Sequence, residues 1–520
     1  CPPGSLFSFY SLEFFSSVLF NSFPFLFLFL PVAFIGGFML FRANHNRAGL
    51  AFMAACSLFF YGYWKPAHLW VIVLSILVNY LMGGAIAPRR EPLVRRLLLV
   101  AGIAFNLGML GYFKYLGFFS HMFTVVQFDS FFDNVVNTAL PIGISFYTFQ
   151  QIAFLIDSYN NIKHRAYSFV EYVFFVSFFP QLIAGPIVHH AEIMPQLEHL
   201  AQRLRGARYV TRYLVPGMAL LVIGLAKKVL LADTFGVYAD GAFAVASLDR
   251  MTFFDAWASA VAYTLQIYFD FSGYSDMAIG LAFLFGLHLP INFNAPYKAA
   301  SMIDFWRRWH ITLSRFLRDY LYFPLGGNRR GPALRYLNLL ATMMIGGLWH
   351  GANWTFLFWG FLHGALLAVN HALRSVTSRR PPVWLAVGAT FIIIVFTWVP
   401  FRAEGFAVVQ RFYYLMLGFD GVVVPQTYGA LIPALGDFAT VFNIRAGDVG
   451  FFSGIRQVAF TAAGLAIVFF GPVAMALLEP APRRRALRSK LVPVGLGIAA
   501  TLVFLVMWVQ SNVTFLYFQF

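Results

Sequence analysis

Apolar positions run in long unbroken stretches instead of alternating with polar ones. Stretches of spanning length fall near 23–41, 50–64, 69–87, 97–118, 139–156, 168–186, 213–232, 252–269, 271–289, 336–350, 354–372, 384–401, 457–478 and 491–511. A helix needs about twenty apolar residues to cross hydrocarbon, and backbone inside lipid must satisfy its own hydrogen bonds. The pattern therefore predicts an all-α, polytopic transmembrane helical bundle. A transmembrane β-barrel would show alternating strands of about ten residues. Several stretches are short or broken by Gly and Pro, so roughly eleven to thirteen crossings are expected, the remainder being re-entrant or interfacial.

Segment 301–324 carries a different period. Phe305, Trp309, Leu313, Phe316, Leu317 and Tyr320 recur at helical spacing, while Arg308, Arg315 and Arg318 lie elsewhere on the wheel. This predicts one amphipathic helix that lies in the interface plane or lines a cavity. It should end at the turn signal Tyr322-Phe323-Pro324-Leu325-Gly326-Gly327-Asn328.

Composition sharpens the membrane reading. Of 520 residues, 60% are hydrophobic and 11% charged, against about 25% charged in soluble domains. The net charge of +16 sits in short loops between apolar stretches, as the positive-inside rule requires, so nucleic acid is not expected as a partner. Arg42 and Arg47, then Arg89 to Arg96, Lys163 and Arg165, and Arg203 to Arg212 should face the cytoplasm. Segments 120–138 and 233–249 carry Asp and few basic residues and should lie outside. Parity then requires that either 252–269 or 271–289 fails to cross fully. Arg374, Arg379, Arg380 and Arg483 to Arg485 return inside, which leaves 402–456 as an extracytoplasmic insertion. Only Cys1 and Cys56 are present, so neither a disulfide framework nor a cysteine metal site is expected. The start of the chain lacks a basic n-region, and 23–40 reads as a retained first helix. With no internal repeat, residues 1–520 read as a single membrane domain.

The candidate chemistry is histidine. No Asp, Glu, Lys or Arg occurs between Arg335 and Arg374, yet His350 lies there within Gly346-Gly347-Leu348-Trp349-His350-Gly351-Ala352-Asn353-Trp354. An ionisable ring at such depth faces protein or a water-filled cavity. It either packs two helices together or moves a proton, for which imidazole suits neutral pH. His310 lies in Arg307-Arg308-Trp309-His310-Ile311-Thr312-Leu313-Ser314, either solvated in a basic loop or part of the site. Asp270 and Asp276 are carboxylates in apolar sequence and need partners, with Arg307, Arg308 or Lys298 as candidates. Their spacing does not put them on one helix face. His189 and His190 are poorly placed to share a metal, and His363 and His371 read as helix-interface residues. Gly326-Gly327-Asn328 lacks the lysine and spacing of a phosphate-binding loop.

Taken together, these blocks resemble the membrane-bound O-acyltransferase (MBOAT) family. The carrying segments are Pro141 to Phe149, Pro180 to Pro186, Tyr268 to Asp276, Asn292 to Tyr297, Asp304 to Asn328, Gly346 to Trp354 and the end from Phe515 to Phe520. The likeness covers most of the chain from about residue 23. It implies a bowl of helices around a central tunnel, with His350 and His310 at its narrow part. It also implies acyl transfer with no bound cofactor and no metal. In that reading His350 is the general base, and His310 orients the acyl group or donates to the oxyanion. Trp349, Trp309, Asn353, Asp270 and Ser314 are the candidate substrate-binding positions. The chain length and the 402–456 insertion favour the branch that O-acetylates exported polysaccharide such as alginate. Its expected donor is a cytoplasmic thioester such as acetyl-CoA, its setting the bacterial inner membrane, and its partners periplasmic O-acetylation proteins. D-alanyl or other acyl transfer to teichoic acid, cellulose or peptidoglycan is the nearest alternative. A transporter would need two similar halves, and none is visible.

Overall fold

The computed structural model describes residues 19–86, 90–116, 118, 140–162, 166–329, 331–377, 381–478, 491–509 and 515–516. The expectations for the first residues, for segment 120–138, and for Arg89, Lys163, Arg165, Arg379, Arg380 and Arg483 to Arg485 lie outside the described residues.

Helices dominate, as the apolar pattern requires. Among the described residues, six are long and apolar enough to cross a membrane: Phe25–Arg42, Pro66–Ala85, Pro92–Tyr115, Val210–Phe243, Trp354–Val376 and Val383–Arg402. Two shorter apolar helices are Ile455–Phe470 and Pro493–Val509. Some of the apolar stretches break or fuse. The 168–186 stretch divides into Phe169–Ser177 and Phe179–Leu182, with Pro180 in the first turn of the second piece, where its missing N–H costs nothing. The stretches 252–269 and 271–289 become one helix of 32 residues, Phe253–Leu284. The 402–456 insertion is not purely helical. Strands Val422–Pro425 and Ile444–Gly447 pair in parallel, with Val422 opposite Ile444.

The chain divides into two compact units, one drawn from residues 1–226, 273–291 and 474–519, the other from 227–272 and 292–473. In the first, some buried polar side chains pair with one another. Asn79 and Asn106 exchange amide hydrogen bonds of 3.2 and 2.6 Å between helices Leu69–Ala85 and Pro92–Leu110. His190 opens the helix His190–Glu198, fully buried, with Nε2 3.1 Å from Asp157 and Nδ1 3.2 Å from the Tyr167 hydroxyl.

In the second unit, helices Pro332–His350 and Trp354–Val376 form a tight hairpin. A Cβ on Gly347 would stand 2.2 Å from the Phe356 carbonyl oxygen, and one on Gly360 2.4 Å from that of Met343. Glycine mid-helix costs about 1 kcal/mol relative to alanine, and here it lets two backbones touch. That contact sets the end of the first helix, where His350 sits. Asp255, wholly buried, accepts from the backbone N–H groups of Thr252, Gly450, Phe451 and Phe452 at 2.8–3.2 Å. It thereby ties the end of the insertion to the start of Phe253–Leu284.

Candidate active site

Segment 301–324 is not one amphipathic helix. Ser301 caps Met302–Trp306 by accepting from the Asp304 N–H at 3.2 Å, and the helix stops there. A second begins at Ile311–Leu317. His310 stands at the break with φ +43° and ψ +53°. A side chain other than glycine is strained in that left-handed region by roughly 1–3 kcal/mol. The strain is held by an exchange of backbone bonds with residues 292–294. Asn294 N–H donates to the Arg308 carbonyl at 2.9 Å, and Ile311 N–H to the Asn292 carbonyl at 3.0 Å. Apolar periodicity survives the break, which is why the sequence reads as continuous.

The turn drives the His310 ring into the interior with no exposed surface. Phe271 packs edge-on at 4.8 Å between ring centres, and Phe293, Trp349 and His350 lie at 6.4–6.5 Å. Nδ1 is 3.1 Å from Oδ1 of Asn292. Among the described residues, Nε2 is buried without a hydrogen-bond partner. Burial penalises the charged form and pushes this imidazole down to about 3.

His350 is the last residue of Pro332–His350 and keeps 6% of its surface exposed. Its ring is caged by Trp349, Trp359 and Phe401 at 4.9, 5.3 and 5.1 Å. The structure thus brings together the two histidines singled out in the sequence, with the Trp349 ring beside both. Trp309 is buried one shell out, against Phe305, Phe293 and Trp398. Ser314 lies half-buried on Ile311–Leu317, its N–H bonded to the His310 carbonyl. Asn353 is engaged structurally: it accepts from Thr355 N–H at 3.1 Å to cap Trp354–Val376, and donates to the Glu404 carbonyl at 3.0 Å.

The structure gives Asp270 a partner other than the expected ones. Neither Arg307, Arg308 nor Lys298 pairs with it. Lys228, 1% exposed, bridges Asp270 and Asp233 at 2.7 Å each. Arg308 pairs with Asp304, and Lys298 donates to the Gly471 carbonyl. Lys228 belongs to the π-helical stretch Lys227–Ala232, a distortion frequent at functional sites. A lysine inside an apolar stretch is itself a signal. Asp270 bears on the site through the next residue, Phe271, whose ring lies against His310. Asn292, Phe271, Trp359 and Phe401 were not singled out for the site either. Among the described residues, no group of three His, Cys, Asp or Glu side chains is placed to hold a metal ion.

Over residues 145–402 the chain matches the membrane-bound O-acyltransferase family. It is also 42% identical over 434 residues to a peptidoglycan O-acetyltransferase of Helicobacter pylori, a match covering 78% of this chain and 81% of that protein. The chain belongs to the membrane-bound O-acyltransferase family. A probable alginate O-acetylase of Pseudomonas putida is 42% identical over 412 residues, 77% of this chain and 81% of that protein. A teichoic acid D-alanyltransferase of Streptococcus thermophilus is 27% identical over 240 residues, 44% of this chain and 57% of that protein. This MBOAT protein is thus an acyltransferase with several membrane-spanning helices, and the matched residues include both histidines.

Proposed function

We propose that this MBOAT protein transfers an acetyl group from a cytoplasmic thioester, acetyl-CoA, toward a hydroxyl of an exported cell-envelope polysaccharide, alginate first. The setting is the bacterial inner membrane, and periplasmic proteins place the group on the polymer. The observation that carries the reading is the pair of buried imidazoles, ring centres 6.4 Å apart, in a chain whose relatives are named O-acetyltransferases. His350 takes the hydroxyl proton as the oxygen attacks the thioester carbonyl. The C–S bond then breaks, and the same proton returns to the leaving thiolate. The cage of Trp349, Trp359, Phe401 and Phe271 excludes water, which would otherwise hydrolyse the thioester. With His310 wholly covered and His350 nearly so, these rings must part to admit substrate, a gating step common in such enzymes.

The test is thiol release from acetyl-CoA by the purified full chain, with mannuronate oligosaccharide as acceptor and mass spectrometry of the product. Thiol release is expected from the chain alone, and acetylated oligosaccharide once a periplasmic extract is added. A well-folded protein that neither releases thiol nor acetylates any offered polymer would sink the reading. Acylation with D-alanine alone would favour the teichoic acid alternative, for which the shorter D-alanyltransferase match is the support.

A further inference from the structure

We infer that Asn292 is a positioning residue that locks His310 in the tautomer carrying its proton on Nδ1, so that Nε2 presents a lone pair to the histidine pair. The inference rests on the acyl-transfer reading above and specifies how His310 serves it. Three donors converge on one Asn292 atom. The Thr312 N–H lies 3.3 Å away, the Thr312 hydroxyl 2.9 Å, and His310 Nδ1 3.1 Å. A backbone N–H can only donate, so the amide atom it faces is the oxygen and not the nitrogen. An amide oxygen can only accept, so the ring nitrogen beside it bears the hydrogen. In a neutral imidazole the other nitrogen then has none. That nitrogen, Nε2, is the buried atom without a hydrogen-bond partner among the described residues.

The consequence reverses the role expected for His310. A bare Nε2 has no N–H to offer an oxyanion. It accepts instead. When His350 has taken the hydroxyl proton it is a cation in an apolar cage, and such a charge is costly unless bonded. Nε2 of His310 offers its lone pair to that imidazolium across about 4 Å or more, since ring centres 6.4 Å apart are too far for a direct hydrogen bond, and it stabilises the cation electrostatically until the proton passes to the thiolate. No further proton or electron is needed. The logic is that of a base oriented by a second group, itself oriented by a third. The left-handed backbone at His310 fits this role, because the bond from Ile311 N–H to the Asn292 carbonyl, 3.0 Å, holds ring and amide in register.

Among the described residues, the groups facing His310 are Asn292, Thr312, the rings of Phe271, Phe293 and Trp349, and His350, which is titratable. Asn292→Asp keeps every acceptor bond and adds a negative charge, which raises the proton affinity of His310 by about one pH unit or more. His310 then protonates and loses its lone pair at a higher pH. The experiment compares Asn292→Asp, Asn292→Ala and His310→Asn in the full chain, by thiol release from acetyl-CoA with mannuronate oligosaccharide. Expected are an Asn292→Asp enzyme that is active at high pH and loses kcat/KM more steeply with acid than wild type, because protonation of two rings and not one then removes activity, and an Asn292→Ala enzyme with kcat down at least about tenfold and KM unchanged. An Asn292→Asp profile that superposes on wild type, or an Asn292→Ala enzyme of wild-type kcat beside a dead His310→Asn, overturns the inference alone. A lowered melting temperature for Asn292→Ala with no steeper acid limb in Asn292→Asp marks a purely structural asparagine and overturns it too. A His310→Asn enzyme as active as wild type removes the histidine pair, and this inference with it.

Discussion

The ring centres of His310 and His350 lie 6.4 Å apart, their planes inclined at 61°. The two residues are brought together by unrelated devices, a left-handed turn and a helix end fixed by a glycine-lined hairpin. The proposed mechanism needs both rings for transfer, but they differ in what else they do. His350→Ala should lose at least about 10²-fold in transfer with little change in melting temperature. His310 carries backbone strain as well. Asparagine tolerates the left-handed region better than a β-branched residue, so His310→Asn should fold normally and fail to transfer. His310→Val should also lose roughly 1–3 kcal/mol of stability. Paired thiol-release and thermal unfolding measurements separate the two. A His350→Ala enzyme that is folded and fully active would remove that ring from the chemistry.

The sequence made the helices and His350 legible for the same reason, whereas His310, in a basic cluster, stood out through the family resemblance. Apolar stretches are a local signal, and an ionisable ring inside one stands out against them. What escaped depends on contacts made at a distance. Nothing near Asn292 announces that its side chain meets a ring 18 positions along the chain. The break at His310 preserves helical spacing on both sides, so periodicity alone cannot reveal it. Lys228 was visible as a lysine in an apolar stretch, but its bridging of Asp233 and Asp270 follows from the packing of two helical segments. Asn353 is a candidate binding residue by the resemblance, and its side chain also caps a helix, a contact its own position does not announce.

The Lys228 bridge predicts an asymmetric response. Removing a buried partner leaves an uncompensated charge, at a cost of about 3–5 kcal/mol, whereas neutralising a whole network is far milder. Lys228→Met should therefore destabilise severely, with Asp233 and Asp270 left facing each other. Adding Asp233→Asn and Asp270→Asn to Lys228→Met should recover most of the melting temperature in detergent. A single Lys228→Met variant as stable as wild type would mean that water already reaches these groups.

Asp255 should govern the insertion and not the chemistry. Asp255→Ala leaves the N–H groups of Gly450, Phe451 and Phe452 without the acceptor that each now has at 2.8–3.2 Å. Each buried group so orphaned costs about 1–3 kcal/mol, and opening the segment to water is the cheaper outcome. Limited proteolysis should then cut within residues 437–455 faster than in wild type, while His350-dependent thiol release persists. Equal cleavage rates in the two proteins would show that the insertion is held by other contacts.

Close backbone approach makes the sharpest stability prediction. A Cβ at Gly360 would come within 2.4 Å of the Met343 carbonyl oxygen, and at Gly347 within 2.2 Å of that of Phe356. Backbone atoms cannot rotate aside as a side chain can. Either helix must retreat, and the end of Pro332–His350 moves with it. Overpacking of this kind costs typically 1–3 kcal/mol, occasionally more. Gly388 is the control: a Cβ there meets nothing within 4 Å, and alanine in a helix gains up to about 1 kcal/mol over glycine. Gly360→Ala should lower the melting temperature and reduce transfer together, because His350 shifts against His310. Gly388→Ala should leave transfer intact and raise the melting temperature slightly. If Gly360→Ala kept both stability and rate, the hairpin would not be what sets the position of His350, and its alignment would have to come from the Trp359 and Phe401 cage alone.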